Sequence, residues 1–188
     1  MRTEKECELM EQGRLIVSEE EIQSLVVRMG GEINRFYGSR ENEPPVLVLG
    51  ILKGAFIFLA DLVRKLTFPT EIEFIRAASY GNGVVSSGNV RILSEPESSL
   101  EGRDVLMVDD LIDTGRTLAA LSDYCRGKGA RSVAAAVLLD KFERREIDYH
   151  PEFIGRTIEN VFVCGYGLDG GDLQYPAVYD YSKKPPAL

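Results

Sequence analysis

Residues 105–118 read VLMVDDLIDTGRTL, and no other stretch of the chain limits its possible folds so strongly. Val105, Leu106, Met107 and Val108 form an unbroken apolar run, which suits a strand buried on both faces rather than on one. Two adjacent carboxylates follow, Asp109 and Asp110, then an apolar pair, then Asp113, Thr114, Gly115, Arg116 and Thr117. This turn carries a glycine and two hydroxyls, and a helical pattern with Leu118, Leu121 and Cys125 starts behind it. Free backbone N–H groups should therefore face into the loop, making a cradle for a phosphate with acids beside it.

The same succession of apolar strand, tight turn and helix recurs along the chain. Residues 46–51 form a continuous apolar run followed at once by Lys53 and Gly54, and residues 55–66 have a helical pattern with Phe56, Leu59, Leu62 and Val63 facing inward. Residues 132–139 (SVAAAVLL) read as another buried strand, ending in Asp140 and Lys141. Upstream, Ser18 with Glu21 makes a capping box ahead of Ile22, Leu25, Val26, Met29, Ile33 and Phe36 at helical spacing. Residues 71–77 and 90–93 read as two arms of a hairpin around a small, polar stretch, 79–89, that is either an exposed tip or a lid. Residues 142–153 read as a charged turn, 161–164 as a short strand and 177–179 as a possible last one. The alternation predicts an α/β fold with a largely parallel central sheet flanked by helices. At 188 residues and 44% hydrophobic, the chain suits one domain with a substantial core.

Charge narrows the function. With 30 Asp and Glu against 22 Lys and Arg, a net charge of -8, the chain does not suit bulk binding to nucleic acid or to an anionic membrane, so an anionic ligand needs locally placed donors. No apolar run approaches a membrane span, and the first residues lack the apolar centre of a secretion signal, so a cytoplasmic protein is expected. Cys7, Cys125 and Cys164 are widely spaced and suggest neither disulfides nor a zinc site. The single histidine, His150, precedes a proline and reads as a loop residue, which leaves no His-based triad. Neither GxxxxGK[ST] nor a helix-opening GxGxxG occurs, removing the usual signs of ATP hydrolysis or dinucleotide binding. Charged residues do recur at predicted strand ends: Lys53, Asp109 with Asp110, Lys141, and Asp169. In an open parallel sheet these ends line the ligand crevice. An acidic pair there can hold Mg²⁺ through water or accept hydrogen bonds from vicinal hydroxyls, as on a ribose. The other reading is a pair of solvated loop acids or the pocket of a receiver domain. A receiver domain, however, places its pair after the first strand.

The whole of VLMVDDLIDTGRT resembles the phosphoribosyl-diphosphate signature of the type I phosphoribosyltransferases. Asp113 at the head of the loop is similar to the branch acting on 6-oxopurines. LKG at 52–54, SYGNG at 79–83, LDKFERR at 139–145 and HPEFIGRTIENVFVCGYGLD at 150–169 agree in order and approximate spacing, so the resemblance spans about residues 18–169. It implies the type I phosphoribosyltransferase fold as a single domain over 1–188. The core would run from about 18 to 165, with a small hood from about 1–17 and 166–188 and a flexible lid loop.

The implied reaction is transfer of phosphoribosyl from 5-phosphoribosyl 1-diphosphate to hypoxanthine or guanine, giving IMP or GMP and pyrophosphate with Mg²⁺ as cofactor. By resemblance, Asp113, Thr114, Gly115, Arg116 and Thr117 hold the 5′-phosphate, with Arg116 pointing outward. Asp109 and Asp110 bind the ribose hydroxyls and Mg²⁺, and Lys53 and Gly54 lie at the pyrophosphate, where the Leu52–Lys53 peptide can be cis. Lys141, Phe162, Val163 and Asp169 bind the purine, Asp169 also lies near a second metal, and Ser79 and Tyr80 belong to the lid. Asp113 would accept the purine N7 proton as N9 attacks C1′. The family also implies a homodimer or homotetramer. One departure stands out: its members usually carry an arginine several residues after the position of Asp169, against the pyrophosphate, whereas this chain reads GGDLQYPAVYDY there. Either another cation takes that role or pyrophosphate binds more weakly. Two further functions compete: a xanthine-preferring transferase, and a non-catalytic regulator that senses phosphoribosyl diphosphate and binds RNA. The acidic balance disfavours the latter.

Overall fold

A computed structural model describes residues 13–40, 43–80, 89–168 and 175–182. Ser18 starts the first helix, α1 (Glu19–Tyr37): its hydroxyl accepts from the Glu21 N–H while the Glu21 carboxylate accepts from the Ser18 N–H, so the capping box is complete. Strand β1 (Arg14–Val17) precedes it. Strand β2 (Val46–Leu52), helix α2 (Phe56–Val63) and strand β3 (Thr70–Tyr80) form one crossover unit. Strand β4 (Asn89–Ser94) pairs back antiparallel on β3. Strand β5 (Asp104–Ile112), helix α3 (Arg116–Gly127) and strand β6 (Ser132–Asp140) form the second unit, followed by a 3₁₀ turn (Phe142–Arg144) and strand β7 (Phe153–Thr157). Strands β8 (Val163–Cys164) and β9 (Val178–Asp180) join β1 in a small antiparallel sheet of order β1-β9-β8.

The large sheet has the order β4-β3-β2-β5-β6-β7, parallel throughout except for β4. Its continuous apolar runs are explained by burial on both faces. Leu106 and Val108 of β5 pack with Val26 and Met29 of α1 and Phe58 and Leu62 of α2, whereas Val105 and Met107 pack with Leu118, Leu121 and Cys125 of α3. Alternate side chains thus enter two cores, one on each side of the sheet.

Four details differ from the sequence reading. Leu59 and Leu62 are buried as expected, but Phe56, also expected inside α2, is 48% exposed, because it lies on the flank of the face that Phe58, Leu59 and Leu62 bury. Phe36 is also exposed, although its ring meets Tyr37 and Phe153 edge-on. The charged stretch after Lys141 leads into β7, whose sequence FIGRT is too short and polar to announce an edge strand. Finally, Asp109 and Asp110 lie within β5, which continues to Ile112, rather than beyond its end.

Because β2 connects to β3 on one side and β5 connects to β6 on the other, the direction in which the connections step across the sheet reverses between the adjacent parallel strands β2 and β5. A crevice at the carboxyl ends of the strands is expected at such a point. Among the described residues no helix is long and apolar enough to cross a membrane.

Candidate active site

Asp109 and Asp110 near the end of β5 and Lys53 after β2 flank this reversal point. The Leu52–Lys53 peptide is cis. Gly54 lies so close to Asp110 that a Cβ there would run into the carboxylate and force it to move, so the glycine lets the turn after β2 approach the acidic pair as it stands. Asp109 is buried, and its Oδ1 accepts from the Asp110 N–H at 3.1 Å. Burial, and then the adjacent Asp110 carboxylate, push the Asp109 carboxyl well above its ordinary range.

The phosphate-type loop follows. Gly115 takes φ +84°, which a side chain rarely adopts, and serves as N-cap of α3 without a side-chain cap bond; the Arg116 N–H donates to Thr114 Oγ1 at a long 3.4 Å, and the Thr117 and Leu118 amides behind it carry no side-chain cap. Asp109, Asp113, Thr114, Gly115 and Thr117 line a small cavity of about 100 Å³ here. Arg116 lines neither this cavity nor the larger one beside it, and its Nε donates to Glu146 Oε2 at 2.9 Å.

A larger cavity of about 430 Å³ adjoins it, sharing Asp109 and Asp113 and adding Asp110, Lys141, Arg144, Phe162 and Val163. Lys141 is brought there by its N–H bond to the Ile112 carbonyl at 3.0 Å, across the ends of β6 and β5. Its side chain is buried, and burial lowers the ammonium pKa. Phe162 presents a ring in a residue that is 51% exposed, while its backbone is tied to the small sheet: its N–H donates to Ser182 Oγ at 2.9 Å and its carbonyl accepts from the Tyr181 N–H at 2.7 Å. Val163 is buried and registers with Asp180 in β9. An exposed aromatic face, a buried ammonium and three carboxylates therefore meet in one cavity. A flat heterocycle could stack on the ring while its polar edge meets the lysine.

The structure thus brings together Asp109, Asp110, Asp113, Lys141, Phe162 and Val163, with Thr114, Gly115 and Thr117 in the adjoining cavity and Lys53 and Gly54 on the facing turn. Ser79 and Tyr80 lie on β3 by backbone, and Asp169, with residues 81–88 of the supposed lid, lies outside the described residues. Among the described residues no cluster of three or more potential metal ligands occurs. Sequence reasoning missed Arg144, whose Nε stands 3.0 Å from Asp113 Oδ1. The only signal for it was a pair of arginines following Lys141 by three and four positions.

Comparison with known proteins shows the family. The family model described as "Phosphoribosyl transferase domain" matches residues 21–170. A hypoxanthine-guanine phosphoribosyltransferase of Aquifex aeolicus is 41% identical over 168 residues, covering 88% of this chain and 93% of its own. The bifunctional protein TilS/HprT of Listeria monocytogenes is also 41% identical, over 156 residues, covering 83% of this chain but 24% of that longer protein. The crystal structure of a hypoxanthine phosphoribosyltransferase from Staphylococcus aureus superposes with a TM-score of 0.83 at 31% identity, covering 89% of this chain and 90% of that one. The chain belongs to the phosphoribosyltransferases, enzymes of pentosyl transfer, and within them to the hypoxanthine-guanine branch.

Proposed function

We propose that this protein is a purine salvage enzyme that transfers the phosphoribosyl group of 5-phosphoribosyl 1-diphosphate to N9 of hypoxanthine or guanine, giving IMP or GMP and pyrophosphate. The supporting observation is the convergence of Asp109, Asp110, Asp113, Lys141 and Phe162 on one cavity that adjoins the Gly115 loop. In this reading the loop from Asp113 to Thr117 holds the 5′-phosphate through the first-turn amides of α3 and the hydroxyls of Thr114 and Thr117. Asp109 and Asp110 accept hydrogen bonds from the ribose hydroxyls. Lys141 donates to the purine 6-oxo oxygen, Phe162 stacks on the ring and the Val163 backbone meets its edge. Asp113 accepts the N7 proton as N9 attacks C1′, and Lys53 with Gly54 receives the departing pyrophosphate. Asp169 would approach the purine 2-position, and Ser79 and Tyr80 would close over the cavity to exclude water.

The donor set of Asp109 and Asp110 fits Mg²⁺, since both are hard oxygen ligands and a cation would offset the burial and the Asp110 repulsion that together raise Asp109. When bound, the ion would offset charge on the pyrophosphate. A cytoplasmic protein acting as a homodimer or homotetramer completes the proposal. The names of the relatives favour neither a xanthine preference nor an RNA-binding regulator. A steady-state assay with hypoxanthine, guanine and xanthine, phosphoribosyl diphosphate and Mg²⁺ tests this reading. IMP and GMP are expected, and absence of nucleotide product from folded protein would overturn it.

A further inference from the structure

Residues 144–147 lie along the phosphate-type loop almost residue against residue. The Thr114 carbonyl accepts from the N–H groups of Glu146 and Ile147 at 3.0 and 3.1 Å. Glu146 accepts from Arg116. Gly115 is packed against Arg145, whose Cδ would stand 3.0 Å from a Cβ at that position. Arg145 is itself held at the end of β6 by Asp140, 2.5 Å from its Nη2, in a pair buried from solvent on both sides. The segment is therefore a brace fixed to the end of the inner strand β6 and to the loop, and Arg144 is its residue opposite Asp113.

Arg144 Nε stands 3.0 Å from Asp113 Oδ1. That oxygen is shut off from solvent and has no well-aligned hydrogen bond among the described residues. The Asp113 side chain as a whole nevertheless remains 39% exposed. Oδ2 is thus the oxygen left exposed, on a residue that lines both the cavity with Lys141 and Phe162 and the smaller one at the loop. An ion pair this exposed adds little to stability. Its effect is geometric, since it selects which carboxylate oxygen is presented and in what direction.

We propose that Arg144 is a positioning residue for Asp113, holding Oδ1 so that Oδ2 is aimed at the purine proton. This rests on the reading of Asp113 as general base. A general base must sit within hydrogen-bond reach of its proton, and small misplacements cost large factors in rate. Arg144 is 44% exposed in its side chain, so replacing it empties no core.

The test is a double-mutant cycle. Arg144→Met should lower kcat about tenfold while the KM for phosphoribosyl diphosphate stays within about twofold of wild type, and Arg144→Lys should recover part of the loss by keeping a cation in place. In an Asp113→Asn background, Arg144→Met should cost nothing further, because there is no base left to aim. An equal loss in both backgrounds would mean that Arg144 acts on substrate or on the fold directly, and would overturn the proposal. So would an unchanged kcat in Arg144→Met beside an impaired Asp113→Asn. If Asp113→Asn alone is fully active, the general-base reading itself fails.

Discussion

Strand β5 carries two buried aspartates, Asp104 at its start and Asp109 near its end, 6% and 9% exposed. Their surroundings could hardly differ more. Asp104 accepts from Arg131 Nε at 2.9 Å and Ser132 Oγ at 2.6 Å, and Arg40 Nη2 stands 2.5 Å away. Arg131 foremost, with Ser132 and Arg40, holds its carboxyl well below the ordinary range. Asp109 instead faces a second carboxylate, and burial with that repulsion pushes it upward. The same side chain on the same strand at the same depth is thus already neutralised at one end of the sheet and left needing a partner at the other. The first arrangement serves the fold, and the second suits a ligand that brings its own hydroxyls and cation.

The widest separation between the two ends should appear in catalysis. Asp113→Asn, at the ligand end, should lower kcat by about 10²- to 10⁴-fold with a thermal midpoint close to that of wild type. Steady-state kinetics beside a melting curve measure both, and an unchanged rate would remove the role assigned to Asp113. The converse is expected of Asp104→Ala, which leaves the buried Arg40 side chain without its closest carboxylate. Urea unfolding should register a loss of about 3–5 kcal/mol with turnover per folded molecule unchanged. Asp109→Asn sharpens the contrast, since removing one of two crowded carboxylates should leave stability in metal-free buffer unchanged or raise it by about 1 kcal/mol while activity falls. Destabilisation as large as that of Asp104→Ala would erase the distinction between the ends.

The smallest effect is in acid. Because the native Asp104 pKa lies below its unfolded value of about 3.9, its contribution is fully present above that value and is lost as the pH falls through and below it. Asp104→Asn should therefore unfold with a shallower dependence on pH between about pH 4 and 2, followed by circular dichroism.

Local patterns were legible wherever a few neighbouring residues set the outcome. The Ser18–Glu21 box, the apolar runs of β2, β5 and β6, and the glycine at the helix-opening turn each depend on contacts within one or two turns of chain. Strand β7 was not legible, because FIGRT becomes a strand only when β6 offers it an edge. Phe56 differs from expectation for a related reason: periodicity puts Leu59 and Leu62 on the buried face but does not say where that face ends. The candidate site divides in the same way. Asp109, Asp110 and Lys141 could be read from strand ends and Asp113 from the loop, whereas Arg144 gained its meaning only when the chain after β6 folded back on the loop.

By itself, then, the sequence determined the class of elements, their order, the phosphate-type loop and the family, since periodicity, capping and motif are written in consecutive residues. Only the tertiary structure decided which charge meets which. It paired Asp104 with two arginines, brought the Gly54 turn after β2 against the Asp110 carboxylate, and set Arg144 against Asp113. Electrostatic partners are chosen by distance in space, and that distance exists only once the sheet has assembled.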